Sequence, residues 1–187
     1  MTARTPWGYE VEGALPPLMT AAEFATATGG QMSSSAATIE WALSAYSSAI
    51  RAHCGWHVAP SLGCIATVDG GRVLRLPAMA VSAVSSVSVG TLEADPSSYE
   101  WSASGLVRLV RPSAAARAGW RSVRVAYTAG LDSAPDLSAT LVALVSEFLV
   151  AHPGISSQTA GGTQVGYSVN VGVRSHASEL APYRLVV

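Results

Sequence analysis

The chain is 187 residues long, 49% hydrophobic and only 12% charged, with a formal net charge of −1. That length suits one compact body, or one domain carrying a substantial insertion, and excludes two large domains. Near-neutral charge removes any global electrostatic case for nucleic acid or an anionic membrane, and no apolar run reaches the length of a membrane span.

Residues 1–18 contain Pro6, Gly8, Gly13, Pro16 and Pro17. That density works against both helix and sheet, so an extended N-terminal arm is expected over 1–18, with Trp7 and Tyr9 seeking a surface on a neighbouring chain. The arm lacks the charged start, apolar core and cleavage site of a secretory signal. The protein is therefore expected to be made and used in a cytoplasm, or in an assembly built there.

A helical domain is expected over 19–153. Thr20 with Glu23 forms a capping-box pattern, and the short helix it opens should stop at Gly29 and Gly30. Ser33 to Ser35 then caps a longer helix. Ile39, Leu43, Tyr46, Ile50 and Cys54 recur at three- and four-residue steps, with Ala42, Ala45, Ala49 and Ala52 beside them, which predicts an amphipathic helix with a thin, alanine-lined face. Gly55 sits where a left-handed residue would close it. The run Cys54, Gly55, Trp56, His57 thus marks a junction between helix and sheet, with Trp56 expected to plug it and His57 to hydrogen-bond nearby.

From about 61 to 130 the period changes to alternation. Cys64–Val68, Arg72–Leu76, Val81–Val89, Tyr99–Ser102, Leu106–Val110 and Ser122–Tyr127 read as short strands of an antiparallel insertion, with Asp69-Gly70 as a hairpin signal. All eleven basic residues of the chain are arginine. Seven of them (72, 75, 108, 111, 117, 121, 124) fall between Gly70 and Gly130 against three acids, so the middle is basic and the flanks acidic. Arg72, Arg75, Arg108, Arg111, Arg121 and Arg124 are candidates either for pairing with acidic protein surface at an interface or for contact with phosphate; a merely solvated sheet face is the plain alternative. Interface pairing is the favoured functional reading of the two.

Leu137, Leu141, Leu144, Val145, Phe148 and Leu149 predict a second long helix, with Asp132 or Ser133 as its cap and Pro135 in its first turn; it is expected to be the most buried element. Residues 154–187 are rich in Gly and Ser and end in an apolar tip, which reads as a C-terminal arm that docks on a partner. The fold class expected is α+β: a small helical bundle core interrupted by an antiparallel β insertion, with extended arms at both ends.

Catalytic and metal chemistry find little support. His53, Cys54, His57 and Cys64 fall within twelve residues, but adjacent positions on a helix point about 100° apart and no paired ligand spacing occurs. A metal-stabilised binding module is kept only as a remote alternative, and a Cys54–Cys64 disulfide as another. No nucleophile elbow and no lysine for a phosphate loop exist, and nothing pairs Glu40 with Glu147. No enzyme, cofactor or metal is expected.

The run Ile50-Arg51-Ala52-His53-Cys54-Gly55-Trp56-His57-Val58-Ala59-Pro60 resembles a signature of head-to-tail adaptor (head completion or connector) proteins of tailed bacteriophages infecting actinobacteria. The similarity continues through Arg72–Pro77, Val81–Val87, Tyr99–Ser102, Leu106-Val107, Trp120 and Val123–Leu131, covering about residues 20 to 151. The two arms carry no part of it, and Ala129 stands where the pattern would place histidine. The resemblance implies a structural virion protein at the neck, assembled in the host cytoplasm. It implies a ring of twelve copies beneath the portal that extends the DNA channel and docks the next protein. Its partners would be further copies of itself, the portal protein, a head-closure, stopper or tail-terminator protein, and double-stranded DNA passing without sequence specificity, with no membrane. On that reading the C-terminal arm is assigned to the portal or a neighbour, through Tyr167, Leu180, Tyr183, Arg184 and Leu185. Another neck or tail component, such as a stopper, tail-completion or baseplate protein, is the rival.

Overall fold

A computed structural model describes residues 2–31, 34–110, 114–150, 157–160, 163–166 and 172–185. In chain order, strands β1 (Thr2–Arg4) and β2 (Tyr9–Glu12) precede helices α1 (Ala21–Ala27) and α2 (Ala36–Cys54). Strands β3 (Leu62–Val68), β4 (Val73–Arg75), β5 (Val81–Val89), β6 (Leu92–Glu93), β7 (Tyr99–Ser102) and β8 (Leu106–Leu109) follow. Then come the single turn α3 (Ala114–Arg117), β9 (Val123–Ala129), α4 (Pro135–Val150), the hairpin β10 (Ser157–Ala160) and β11 (Thr163–Gly166), and α5 (Ala177–Leu180) flanked by 3₁₀ turns. The fold is mixed α+β with antiparallel sheets. It divides into a sheet unit (Met1–Leu15, Cys54–Ser133, Tyr183–Val187) and a helical unit (Pro16–His53, Ala134–Pro182).

The sheet unit contains a six-stranded sheet in the order β1-β2-β3-β9-β5-β6 and a three-stranded sheet in the order β4-β8-β7. Alternation decides which side chains enter the core. Cys64, Ala66 and Val68 on β3 pair with Tyr127, Val125 and Val123 on β9, and all but Val68 are buried. Strand β5 spaces its valines by three, at Val81, Val84 and Val87, which a flat strand would send to alternate faces. Register shifts lie between Val81 and Ala83 and between Val84 and Ser86. These restore the face, so that the three valines meet Ala129, Tyr127 and Val125 in turn. In the smaller sheet Leu74, Val107 and Leu109 point inward, while Val73, Arg75, Leu106 and Arg108 share the open face.

Two sequence expectations need correction here. Residues 1–18 do not form an extended arm, because β1 and β2 make a hairpin and β2 pairs with β3. The breakers are confined to turns: Pro6 lies between the strands, Gly8 has φ 87° there and Gly13 has φ 79° just after β2. Tyr9 and Val11 are left free to alternate inward, and both are buried. Nor does Asp69-Gly70 form a hairpin between paired strands, since β3 and β4 belong to different sheets. The Asp69 carboxylate instead accepts the Arg121 N–H at 2.7 Å, and the Gly70 N–H reaches the Gly119 carbonyl at 2.9 Å.

In the helical unit, Thr20 and Glu23 form the full capping box that opens α1, and Phe24 on that helix is wholly buried. The Ser35 hydroxyl accepts the Thr38 N–H at the start of α2; Ser33 lies outside the described residues. Helix α2 buries Ala42, Leu43, Ser47 and Ile50, and α4 buries Leu137, Thr140, Leu141, Leu144 and Val145. Helix α4 starts at Pro135, the proline expected in its first turn. Trp41 and Tyr46 of α2 meet Phe148 of α4 at ring-centroid distances of 5.6 and 6.0 Å.

Candidate functional site

Cys54, Gly55, Trp56 and His57 lie in a buried, hydrogen-bonded cluster of the sheet unit. Gly55 takes φ 81°, ending α2 in the left-handed conformation that glycine adopts without a Cβ penalty. Trp56 and His57 are then both buried, their rings edge to face at 5.4 Å. His57 Nε2 lies 2.9 Å from the Ala129 carbonyl, which can only accept, so that nitrogen carries the hydrogen. The Tyr9 hydroxyl accepts the His57 backbone N–H at 3.0 Å and lies within hydrogen-bond distance of Nδ1, at 2.8 Å. These contacts tie β2, the junction and β9 together. Val58, buried and β-branched, holds φ 63°, an unfavourable conformation for its type. Its carbonyl accepts the Leu131 N–H at 2.8 Å, which helps to fix it there.

The end of the chain docks on this junction. The Trp56 indole N–H donates to the Tyr183 carbonyl at 2.7 Å, and the Leu185 N–H donates to the Cys54 carbonyl at 2.8 Å. Cys54 is the last residue of α2, and carbonyls at a helix end lack intrahelical partners, so Leu185 supplies one that the helix cannot. Residues 172–185 are therefore not the extended, free arm expected from sequence: they fold into short turns, Leu180 is fully buried, and the tip is held by its own chain. Arg184 remains exposed, while Tyr167 lies outside the described residues.

The two cysteines are free and buried. Burial pushes the Cys54 thiol up to about 11, a shift that nearby Arg184 opposes, and pushes Cys64 up to about 12. Cys64 Sγ also contacts the Leu62 carbonyl at 3.4 Å. His57 is held by Tyr9 and Ala129, and both thiols are buried. The Tyr127 hydroxyl is buried without a hydrogen-bond partner among the described residues, and burial pushes its ionisation up.

The arginines do not converge on one site. Arg75 and Arg108 share the open face of the three-stranded sheet, where Arg108 pairs with Glu100 across β8 and β7. Arg124 lies exposed on β9, Arg72 and Arg121 lie on neighbouring loops, and Arg111 lies outside the described residues. What sequence reasoning missed is the loop between α3 and β9. There Trp120 is 87% exposed, flanked by exposed Arg117 and Arg121. Besides the two bonds from Asp69 and Gly70, the Gly71 N–H donates to Ala115 O at 3.1 Å and the Ser122 hydroxyl to Gly119 O at 2.6 Å. A Cβ on Gly70 would stand 2.2 Å from the Ala118 carbonyl, so only glycine permits this approach. Arg121 holds φ 48°, a conformation costing roughly 1 to 2 kcal/mol for a residue with a side chain. The helical unit presents a second exposed aromatic group, Trp41 at 60%, against Phe148 and Tyr46. Glu147 lies close enough to Tyr46 to raise its ionisation together with burial. His176 then bridges Glu147, at 3.3 Å, and Glu179, at 2.8 Å.

No family model and no curated protein matches the chain. Among solved structures, the chain is similar to one described as the neck of an empty GTA particle computed with C6 symmetry, at 17% identity, covering 96% of both chains with a TM-score of 0.58.

Proposed function

We propose that this chain is a structural subunit of the neck of a phage-like particle: a head-to-tail adaptor that closes into a ring beneath the portal, extends the DNA channel and docks the next head-completion or tail protein. The observation that carries the reading is the likeness of fold to a neck chain over nearly the whole of both chains. The sequence resemblance running from the Cys54–His57 junction through β9 supports the same class independently. The buried polar groups also fit a structural role, because the junction spends Tyr9, His57 and Trp56 on tying strands and the chain end together.

The similar structure is described as a neck and not as one particular neck protein. A stopper or tail-completion protein therefore stays as the second reading. Sixfold averaging accommodates rings of six or of twelve, and twelve is the number proposed here. On this reading the C-terminal residues Tyr183, Arg184 and Leu185 bind portal only after leaving the Cys54 and Trp56 positions that they occupy within the chain, and Leu180 only after leaving its burial. The arginine-bearing strands would face protein neighbours in preference to DNA.

Imaging of particles that contain the protein tests the proposal: twelve copies directly under the portal are expected. Location at the tail tip or baseplate, or a monomer elsewhere in the particle, would overturn it. Deletion of 172–187 should reduce binding to portal-bearing heads, and undiminished binding would refute the portal assignment.

A further inference from the structure

Resting on the ring reading, we propose which surfaces of adjacent copies meet: the Arg-flanked Trp120 loop of one copy docks on the acid-rimmed Trp41–Tyr46–Phe148 patch of the next. Two surfaces on one chain carry the inference. Trp120 is 87% exposed yet stands on a loop fixed by four hydrogen bonds and by the Gly70–Ala118 approach, so docking it costs little ordering entropy. An exposed tryptophan between arginines has the composition of an interface anchor. The helical unit offers Trp41, 60% exposed, with Tyr46 and Phe148, and beside them the carboxylates of Glu147 and Glu179, which are 41% and 52% exposed.

Charge selects a second copy as the occupant. The sheet unit holds nine arginines against seven carboxylates, and the helical unit two arginines against five carboxylates. Each copy therefore carries a basic unit with a tryptophan knob and an acidic unit with an aromatic landing surface. Two different patches that complement each other make a head-to-tail contact, which closes into a ring when the rotation between copies allows it.

The test uses the full chain in two charge-reversed forms, Arg117→Glu with Arg121→Glu and Glu147→Arg with Glu179→Arg, followed by sedimentation of concentrated protein. Each form alone is expected to self-associate at least tenfold more weakly than the unaltered chain. An equimolar mixture should recover association, because each reversed surface then meets its reversed complement. Trp120→Ala, at an exposed position, should weaken association to a similar degree with an unchanged melting temperature. As a second measurement, a benzophenone side chain at position 120 in a mixture of isotopically light and heavy copies should cross-link to α2 or α4 of another copy.

Rings that form normally from all three variants, or inter-copy cross-links that map elsewhere, overturn this interface and leave the ring reading standing. Unaltered protein that neither self-associates nor forms a ring in the particle overturns the ring reading, and this inference with it. Cross-links to DNA or to a different virion protein, with association unaffected by charge reversal, assign the Trp120 loop to that partner and overturn the inter-copy contact.

Discussion

The indole N–H of Trp56 donates to the main-chain carbonyl of Tyr183 at 2.7 Å, across 127 positions of sequence. Together with the Leu185 N–H on the Cys54 carbonyl, it holds residues 183–185 against Cys54 and Trp56. Trp56→Phe keeps most of the ring and loses the donor, so a cost of about 1 to 3 kcal/mol is expected from the carbonyl left unpaired. Hydrogen exchange at the Leu185 amide should quicken at least tenfold, and proteolysis near residues 183–185 should follow. Unaltered exchange at Leu185 would show that the indole bond does not hold this end.

The N-terminal hairpin supplies Tyr9 and Val11 to the core, and Tyr9 satisfies His57 twice. Tyr9→Phe removes the acceptor of the His57 N–H and the hydrogen-bond partner of Nδ1, and should lower stability by about 1 to 3 kcal/mol in urea denaturation. Deleting residues 2–12 should be far more damaging, because it strips the side of β3 that β2 covers. A truncated chain with the melting temperature of the full one would mean that the hairpin is a dispensable arm.

Gly130 follows β9 with φ 116°, and a Cβ there would lie 2.3 Å from the Pro60 carbonyl and 2.8 Å from His57 Nε2. Gly130→Ala therefore strains the backbone and pushes on the junction at once. A loss above about 3 kcal/mol is expected, against the 1 kcal/mol centre of ordinary substitutions. Calorimetry on Gly130→Ala and on Gly90→Ala separates the two effects, since Gly90 has φ 59° but open space around its Cβ position.

Alkaline pH should destabilise the fold. Cys54 and Cys64 rise from an ordinary value of 9.0 to about 11 and about 12 because burial disfavours the thiolate. The folded state then holds more protons than the unfolded state above pH 9. Stability conferred below that value is lost as pH climbs through 11 and 12, at up to about 1.4 kcal/mol per unit for each thiol. Urea midpoints under reducing conditions should fall between pH 8.5 and 10.5, and Cys64→Ala should flatten the slope. A midpoint independent of pH across that interval would contradict the burial of the thiols.

Tyr127→Phe is expected to be neutral or stabilising, by up to about 1 kcal/mol. Its ring packs in the core, but the hydroxyl is buried without a hydrogen-bond partner among the described residues, so its removal relieves a desolvation cost. Thermal melting of this single variant decides the matter. A drop of more than about 1 kcal/mol would show that the hydroxyl is held.

The sequence by itself determined the local elements, because their causes are local. The Thr20–Glu23 box, the end of α2 at Cys54, the left-handed Gly55 and the extents of β5 and β7 follow from caps, periodicity and glycine conformation within a few residues. The end of the helical period at Cys54 also placed the end of α2. Only the tertiary structure decided where breakers would be harmless and which surfaces would stay uncovered. Proline and glycine at 6, 8 and 13 fell at turns, so residues that looked like an arm became strands once β3 offered an edge. Asp69 and Gly70 found partners some fifty residues on, at 119 and 121, and thereby fixed a loop whose tryptophan no periodicity marks. The valines of β5 keep one face only through bulges set by pairing with β9. Chain-end capping of α2 by Leu185 has the same origin: a helix advertises its unsatisfied carbonyls in sequence, but which distant amide reaches them depends on the folded path.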